Sequence, residues 1–123
     1  MRNGADGLET IAGVVNDPGF GPVVVFGLGG IFTEVLHDVT YRVAPFELDE
    51  AKSMIAELRG AALFGEVRGQ PRRDVDALAD ALVRVSQLAW HLRDRLAELD
   101  INPLLVLPVG RGVVAADALV VLR

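Results

Sequence analysis

Three oxygen-bearing side chains, Glu98, Asp100 and Asn102, alternate with apolar ones in "ELDINPLLV", residues 98–106. In an extended chain every second residue faces the same way, so this spacing predicts one polar face and one apolar face bearing Leu99, Ile101 and the leucines near 105. A further acid, Asp117, lies in "VVAADALVVL", which the turn at Gly110-Arg111-Gly112 folds back on the first run. Paired as a hairpin, the two runs let Asn102 and Asp117 approach across the sheet. An amide oxygen and a carboxylate, with water and phosphate oxygens completing the shell, form a donor set that Mg²⁺ commonly takes. The same spacing also describes a solvated polar face on an edge strand, and spacing alone favours that reading.

A second candidate is "GLGG", with Gly27, Gly29 and Gly30 directly after a strand-like run. Glycines let backbone N–H groups come close to an anion, which would suit a phosphate; the alternative is a tight turn where chain segments pack closely. The stretch matches neither common phosphate fingerprint, because Phe32 stands where a dinucleotide motif needs glycine and no Gly-Lys-Ser/Thr follows. Glu34 and His37 have the Glu-x-x-His spacing of a di-iron helix, but that centre needs four carboxylates on a four-helix bundle, so His37 receives no metal role. His91 reads as a helix-surface residue. The serines, Ser53 and Ser86, fall in predicted helices and outside any Gly-x-Ser-x-Gly, which argues against a hydrolase.

These residues must be held by a mixed scaffold. Strands are predicted at Leu8–Val15, at "VVVFG" after the turn-rich "NDPGFGP", and at Val39–Pro45, where Pro45 ends the run. Two helices follow. In "ELDEAKSMIAELRG" Asp49 is expected to cap, Gly60 to stop, and Leu48, Ala51, Met54, Ile55 and Leu58 to share a buried face. Asp74 then caps a long helix whose stripe of Val75, Leu78, Leu82, Val85, Leu88, Ala89, Leu92 and Leu96 reads as core. Strands, helices and strands in that order indicate an α+β fold with a mostly antiparallel sheet and two main helices packed on it. Residues 1–7 are expected to be a disordered start or a cut boundary, and 8–123 a single subdomain.

At 123 residues the chain can bury a core without staples, and cysteine is absent. A hydrophobic share of 51% with mean hydropathy +0.37 excludes intrinsic disorder and predicts apolar surface facing a partner, a second copy included. A net charge of −5 argues against nucleic acid and anionic membranes, and no run is long enough to span a bilayer. The expected compartment is the cytoplasm. Basic residues comprise eleven arginines and only Lys52, so chemistry needing several lysines must be supplied elsewhere.

Asp17-Pro18-x-Phe20-Gly21-Pro22, Gly27-x-Gly29-Gly30 and Asp100-Ile101-Asn102-Pro103-Leu104, in this order and spacing, resemble the C-terminal lobe of the ATP-grasp domain of NDP-forming (ADP-forming) acyl-CoA synthetases. The succinyl-CoA synthetase β-subunit is a more distant likeness. The resemblance covers roughly residues 8–122. It implies formation of ATP from acyl-CoA, ADP and phosphate, or the reverse, through a phosphohistidine on another domain. On this resemblance Asn102 and Asp117 hold Mg²⁺ with ATP or ADP, Gly27, Gly29 and Gly30 contact the nucleotide, and Asp100 meets the incoming phosphohistidine. It also implies partners beyond this stretch: the N-terminal ATP-grasp lobe and the CoA-binding and phosphohistidine domains, in cis or in trans. One position departs from the pattern. Relatives commonly carry Arg or Lys where Leu119 stands, which opens a second reading as a non-catalytic regulatory or assembly module, as in some protein acetyltransferases.

Overall fold

The structure is a computed structural model that describes residues 7–29, 38–67 and 69–123. Its strands are β1 (Leu8–Asp17), β2 (Gly21–Leu28), β3 (Val39–Val43), β4 (Leu96–Val106), β5 (Val113–Ala115) and β6 (Ala118–Leu122). Helices α1 (Leu48–Ala56) and α2 (Val75–His91), with a 3₁₀ turn at Ala61–Phe64, lie between β3 and β4. The sheet order is β3-β2-β1-β4-β5, with β6 also pairing β4, and every pairing is antiparallel. This is the expected α+β class. No helix among the described residues is long and apolar enough to cross a membrane.

The β1–β2 hairpin closes where Asp17 Oδ1 accepts hydrogen bonds from the N–H groups of Gly19 (2.7 Å) and Phe20 (3.0 Å), and Gly21 leaves the turn at φ +80°. From there the strands alternate. Ala12, Val14, Val24, Phe26, Leu99 and Leu104 are buried on the face that both helices cover, where Ala51, Met54, Leu78 and Leu82 complete the core. Arg42 of β3 ties the sheet to α1 through Glu50 (2.6 Å) and Glu57. That guanidinium hydrogen bond holds the Glu57 carboxylate below the usual carboxylate range.

Helix α2 starts as expected. Asp74 accepts from Ala77 N at 3.2 Å, and its other oxygen accepts from Gly110 N (3.1 Å) and Gly112 N (2.8 Å), so one buried carboxylate fixes both the helix start and the β4–β5 turn. Its end is earlier than the apolar spacing suggests. The helix stops at His91, Leu96 opens β4, and Leu88 is 47% exposed. In α1 the N-cap is Glu47, with no side-chain cap bond, and Asp49 sits in the first turn, where its charge suits the helix dipole. Leu48 faces outward at 43% exposure, because the core stripe begins only at Ala51. The helix ends at Ala56; Gly60 instead starts the 3₁₀ turn, its N–H held with that of Arg59 by the buried Asp38 carboxylate (2.7 Å each).

Candidate functional site

Strand β4 carries the predicted polar face. Glu98, Asp100 and Asn102 are exposed, whereas Leu99 is buried and Ile101 partly so. The register with β1 shifts here: Ala12 pairs with Ile101 and Thr10 with Leu104, so Ile11 faces both Asn102 and Pro103. Two residues against one is a β-bulge, which reverses the alternation beyond it. Leu104 and Val106 therefore return to the helix-covered face and Leu105 turns to the other, opposite Val114. The expectation that Leu105 shares a face with Leu99 is corrected accordingly. The Asn102–Pro103 peptide is cis.

On the other flank of β4, the ladder runs from β5 to β6 through Ala116 and Asp117. Asn102 N donates to Asp117 O at 3.1 Å, and Ala116 N to Pro103 O at 3.0 Å. Asn102 and Asp117 are thus direct cross-strand neighbours, a relation that places Cβ atoms about 4.5–5.5 Å apart. Both side chains lie on the face away from the helices. Asp117 Oδ1 accepts from Ala118 N at 2.9 Å, which orients the carboxylate. Two hard oxygen donors fit a Mg²⁺ that draws its other ligands from phosphate and water. No group of three or more His, Cys, Asp or Glu suited to a metal occurs among the described residues.

Asp100 lies between Gly13 of β1 and Leu119 of β6. A Cβ on Gly13 would fall 2.9 Å from the Leu99 carbonyl oxygen and 3.9 Å from Asp100 Oδ1, so the glycine allows β1 and β4 to close and leaves one side of Asp100 uncovered. The recess there, about 260 Å³, is lined by Ile11, Gly13, Val15, Val25, Glu98 and Asp100. Gly13 and Ile11 escaped the sequence reading. A glycine inside the alternating "LETIAGVV" was their signal.

Two rows cross this open face, one through Val39, Gly27, Ile11, Asn102 and Asp117, the other through Tyr41, Val25, Gly13, Asp100 and Leu119. Neither row holds a lysine or an arginine. Gly27 lies within β2, where a Cβ would come 2.6 Å from both Asp38 O and Val39 Cγ1. Gly29 N donates to Glu9 O at 2.9 Å, so that amide is engaged with β1. Gly30, Glu34 and His37 lie outside the described residues. His91 ends α2 and lines a recess with Pro45, Glu47 and Trp90 that includes none of Asp100, Asn102 and Asp117. A larger recess of about 390 Å³ adjoins Asp74, but that carboxylate is committed to backbone amides.

The ATP-grasp domain family matches residues 1–122. The chain is 42% identical over 117 residues to the β-subunit of ADP-forming acetate–CoA ligase II of Pyrococcus furiosus, covering 95% of this chain and 50% of that protein. It is 43% identical over 106 residues to the ADP-forming 4-hydroxybutyrate–CoA ligase of Nitrosopumilus maritimus, covering 86% and 15%. The chain spans about half the length of the curated β-subunits it matches. Among solved structures, it superposes with TM-score 0.88 and 41% identity on acetyl-coenzyme A synthetase 1 of Ca. Korarchaeum cryptofilum, covering 95% of this chain and 54% of that one. That protein was captured with coenzyme A and Mg-AMPPCP, its phosphohistidine segment pointing towards the nucleotide site.

Proposed function

The chain belongs to the ATP-grasp domain family, and on that premise we propose that its open sheet face is one wall of the Mg-nucleotide site of an ADP-forming acyl-CoA synthetase. The whole enzyme would convert acyl-CoA, ADP and phosphate to acid, CoA and ATP through a phosphohistidine borne by another domain. The observation that carries this reading is the Asn102–Asp117 pairing beside Asp100, on the face the helices leave uncovered.

Asn102 Oδ1 and the Asp117 carboxylate would hold Mg²⁺, which supplies charge neutralisation to the transferring phosphoryl group. Asp100, two residues before Asn102 on the same face, would accept a hydrogen bond from the phosphohistidine imidazole and orient it. Gly27 packs against Asp38 and Val39 and the Gly29 amide is bonded to Glu9 O, so contact of the nucleotide with Gly27, Gly29 and Gly30 would be made by other approaches than a free N–H of Gly29 or an open space at Gly27. The missing cations would come from the N-terminal lobe, in cis or in trans, and the CoA-binding domain would bring the histidine. The setting would be the cytoplasm. Leu119 beside Asp100 favours a second reading, a non-catalytic synthetase-like module, since it puts an aliphatic group next to the acid in a row that holds no lysine or arginine among the described residues.

In the assembled synthetase, Asn102→Ala or Asp117→Ala should each lower ATP formation by about 10²–10³-fold, the scale of losing one electrostatic contact to the transition state. Unimpaired turnover would remove the metal assignment. Mg-ATP titrated into this chain alone should give little heat, whereas tight binding with turnover would show that the wall suffices by itself.

A further inference from the structure

The helical layer stops short of the last strand. Five strand positions at about 4.8 Å span about 24 Å, whereas two helices about 10 Å wide cover about 20 Å. On the helix side Leu96 and Leu99 of β4 are 2% and 6% exposed, but Leu122 and Val120, their partners on β6, are 55% and 54% exposed. On the other face Leu119 and Val121 are 54% and 38% exposed. The strand therefore shows apolar side chains on both faces.

Its outer edge has no partner strand among the described residues. Asp117 O and Arg123 N both point inward, bonded to Asn102 N and Arg95 O, so alternation turns the backbone groups of Ala118, Val120 and Leu122 outward. Of these, Ala118 N is already taken by the Asp117 carboxylate. Between Asp117 and Arg123 there is no charge and no proline, the usual guards of an exposed edge.

We propose that β6 is the interface for a second copy of this chain, pairing antiparallel with its own counterpart about Val120. The outward groups meet in register: Val120 faces the partner's Val120, and Ala118 faces the partner's Leu122. Leu119 then lies against the partner's Val121 on the open face. Charge selects this register. Asp117 of each copy comes opposite the partner's Arg123, once at either end. A slip of two residues would set Arg123 against Ala115 or Leu119 and lose both pairs. Arg123, whose guanidinium donates to the Arg93 carbonyl at 2.8 Å in the single chain, would exchange that contact for the carboxylate. The contact is isologous, so it closes at a dimer.

Sedimentation velocity of the chain over a concentration series tests this. The expected result is a twofold mass that Val120→Lys returns to the monomer, because the substitution places two like charges across the axis. Arg123→Asp should weaken the dimer, and Asp117→Arg added to it should restore it, with circular dichroism confirming the fold of each variant. A chain that stays monomeric at every concentration overturns the proposal. So does a dimer indifferent to Val120→Lys, which would mean that another face pairs. A charge swap without rescue overturns the register.

Discussion

The two faces of this sheet are built from the same strands yet do opposite work. On the helix-covered face, Phe26, Val24 and Val14 are fully buried and the strands present β-branched and aromatic bulk to α1 and α2. One residue along, Val25, Gly13 and Asp100 form a row in which side chains dwindle to hydrogen and then to a carboxylate. The first face contributes folding free energy by removing apolar area from water. The second keeps polar oxygens reachable, and the rigid sheet behind it holds Asn102 and Asp117 at a fixed separation.

Neighbouring residues on β2 give the sharpest test of this division. Phe26→Ala should cost about 3–5 kcal/mol in denaturant unfolding, whereas Val25→Ala on the open face should cost well under half as much. Equal losses would mean that the open face is also packed in the chain as it folds. The next effect concerns Asp74, which joins the helical layer to the β4–β5 turn. Asp74→Ala should destabilise by about 1–3 kcal/mol, since it removes a cap and strands two further amides, while Asp74→Asn should recover part of that. A loss below about 0.5 kcal/mol would sever the proposed link between layer and turn.

The smallest effect is electrostatic. Because the Arg42 hydrogen bond lowers the folded pKa of Glu57, the carboxylate stabilises the fold above its unfolded pKa, about 4.3. That contribution fades as pH falls through the lower folded value. Thermal midpoints of the Glu57→Gln variant should lie slightly below those of the parent at neutral pH and converge with them in acid. Parallel curves would remove Glu57 from the account of acid sensitivity.

Much of the scaffold was legible because local chemistry and tertiary packing agree. The Asp17 turn, the Asp74 cap and the alternation in β1 and β4 follow from side chains acting within a few residues. The end of α2 was not legible, since Leu92 and Leu96 continue the helical spacing although Leu96 belongs to a strand core. Asp49 looked like a cap because acids favour both the cap and the first turn. Around the candidate site, the shared face of Asp100 and Asn102 was readable from period two, and the approach of Asp117 from the hairpin. Gly13 was not, because its need for hydrogen in place of a side chain arises only when β1 lies against Leu99.

The bulge at Asn102–Pro103 makes β4 a strand with a phase, and one extra residue resets it. From Glu98 to Asn102 the even-numbered positions face the open side; from Leu104 onward they face the core. The two halves of the strand are thereby freed from each other's parity, so a chemical sequence and a packing sequence can adjoin without compromise. The same device makes the strand intolerant of length change: deleting a single residue between Ile101 and Leu104 would turn either the Asp100 and Asn102 oxygens or the core leucine and valine to the wrong side.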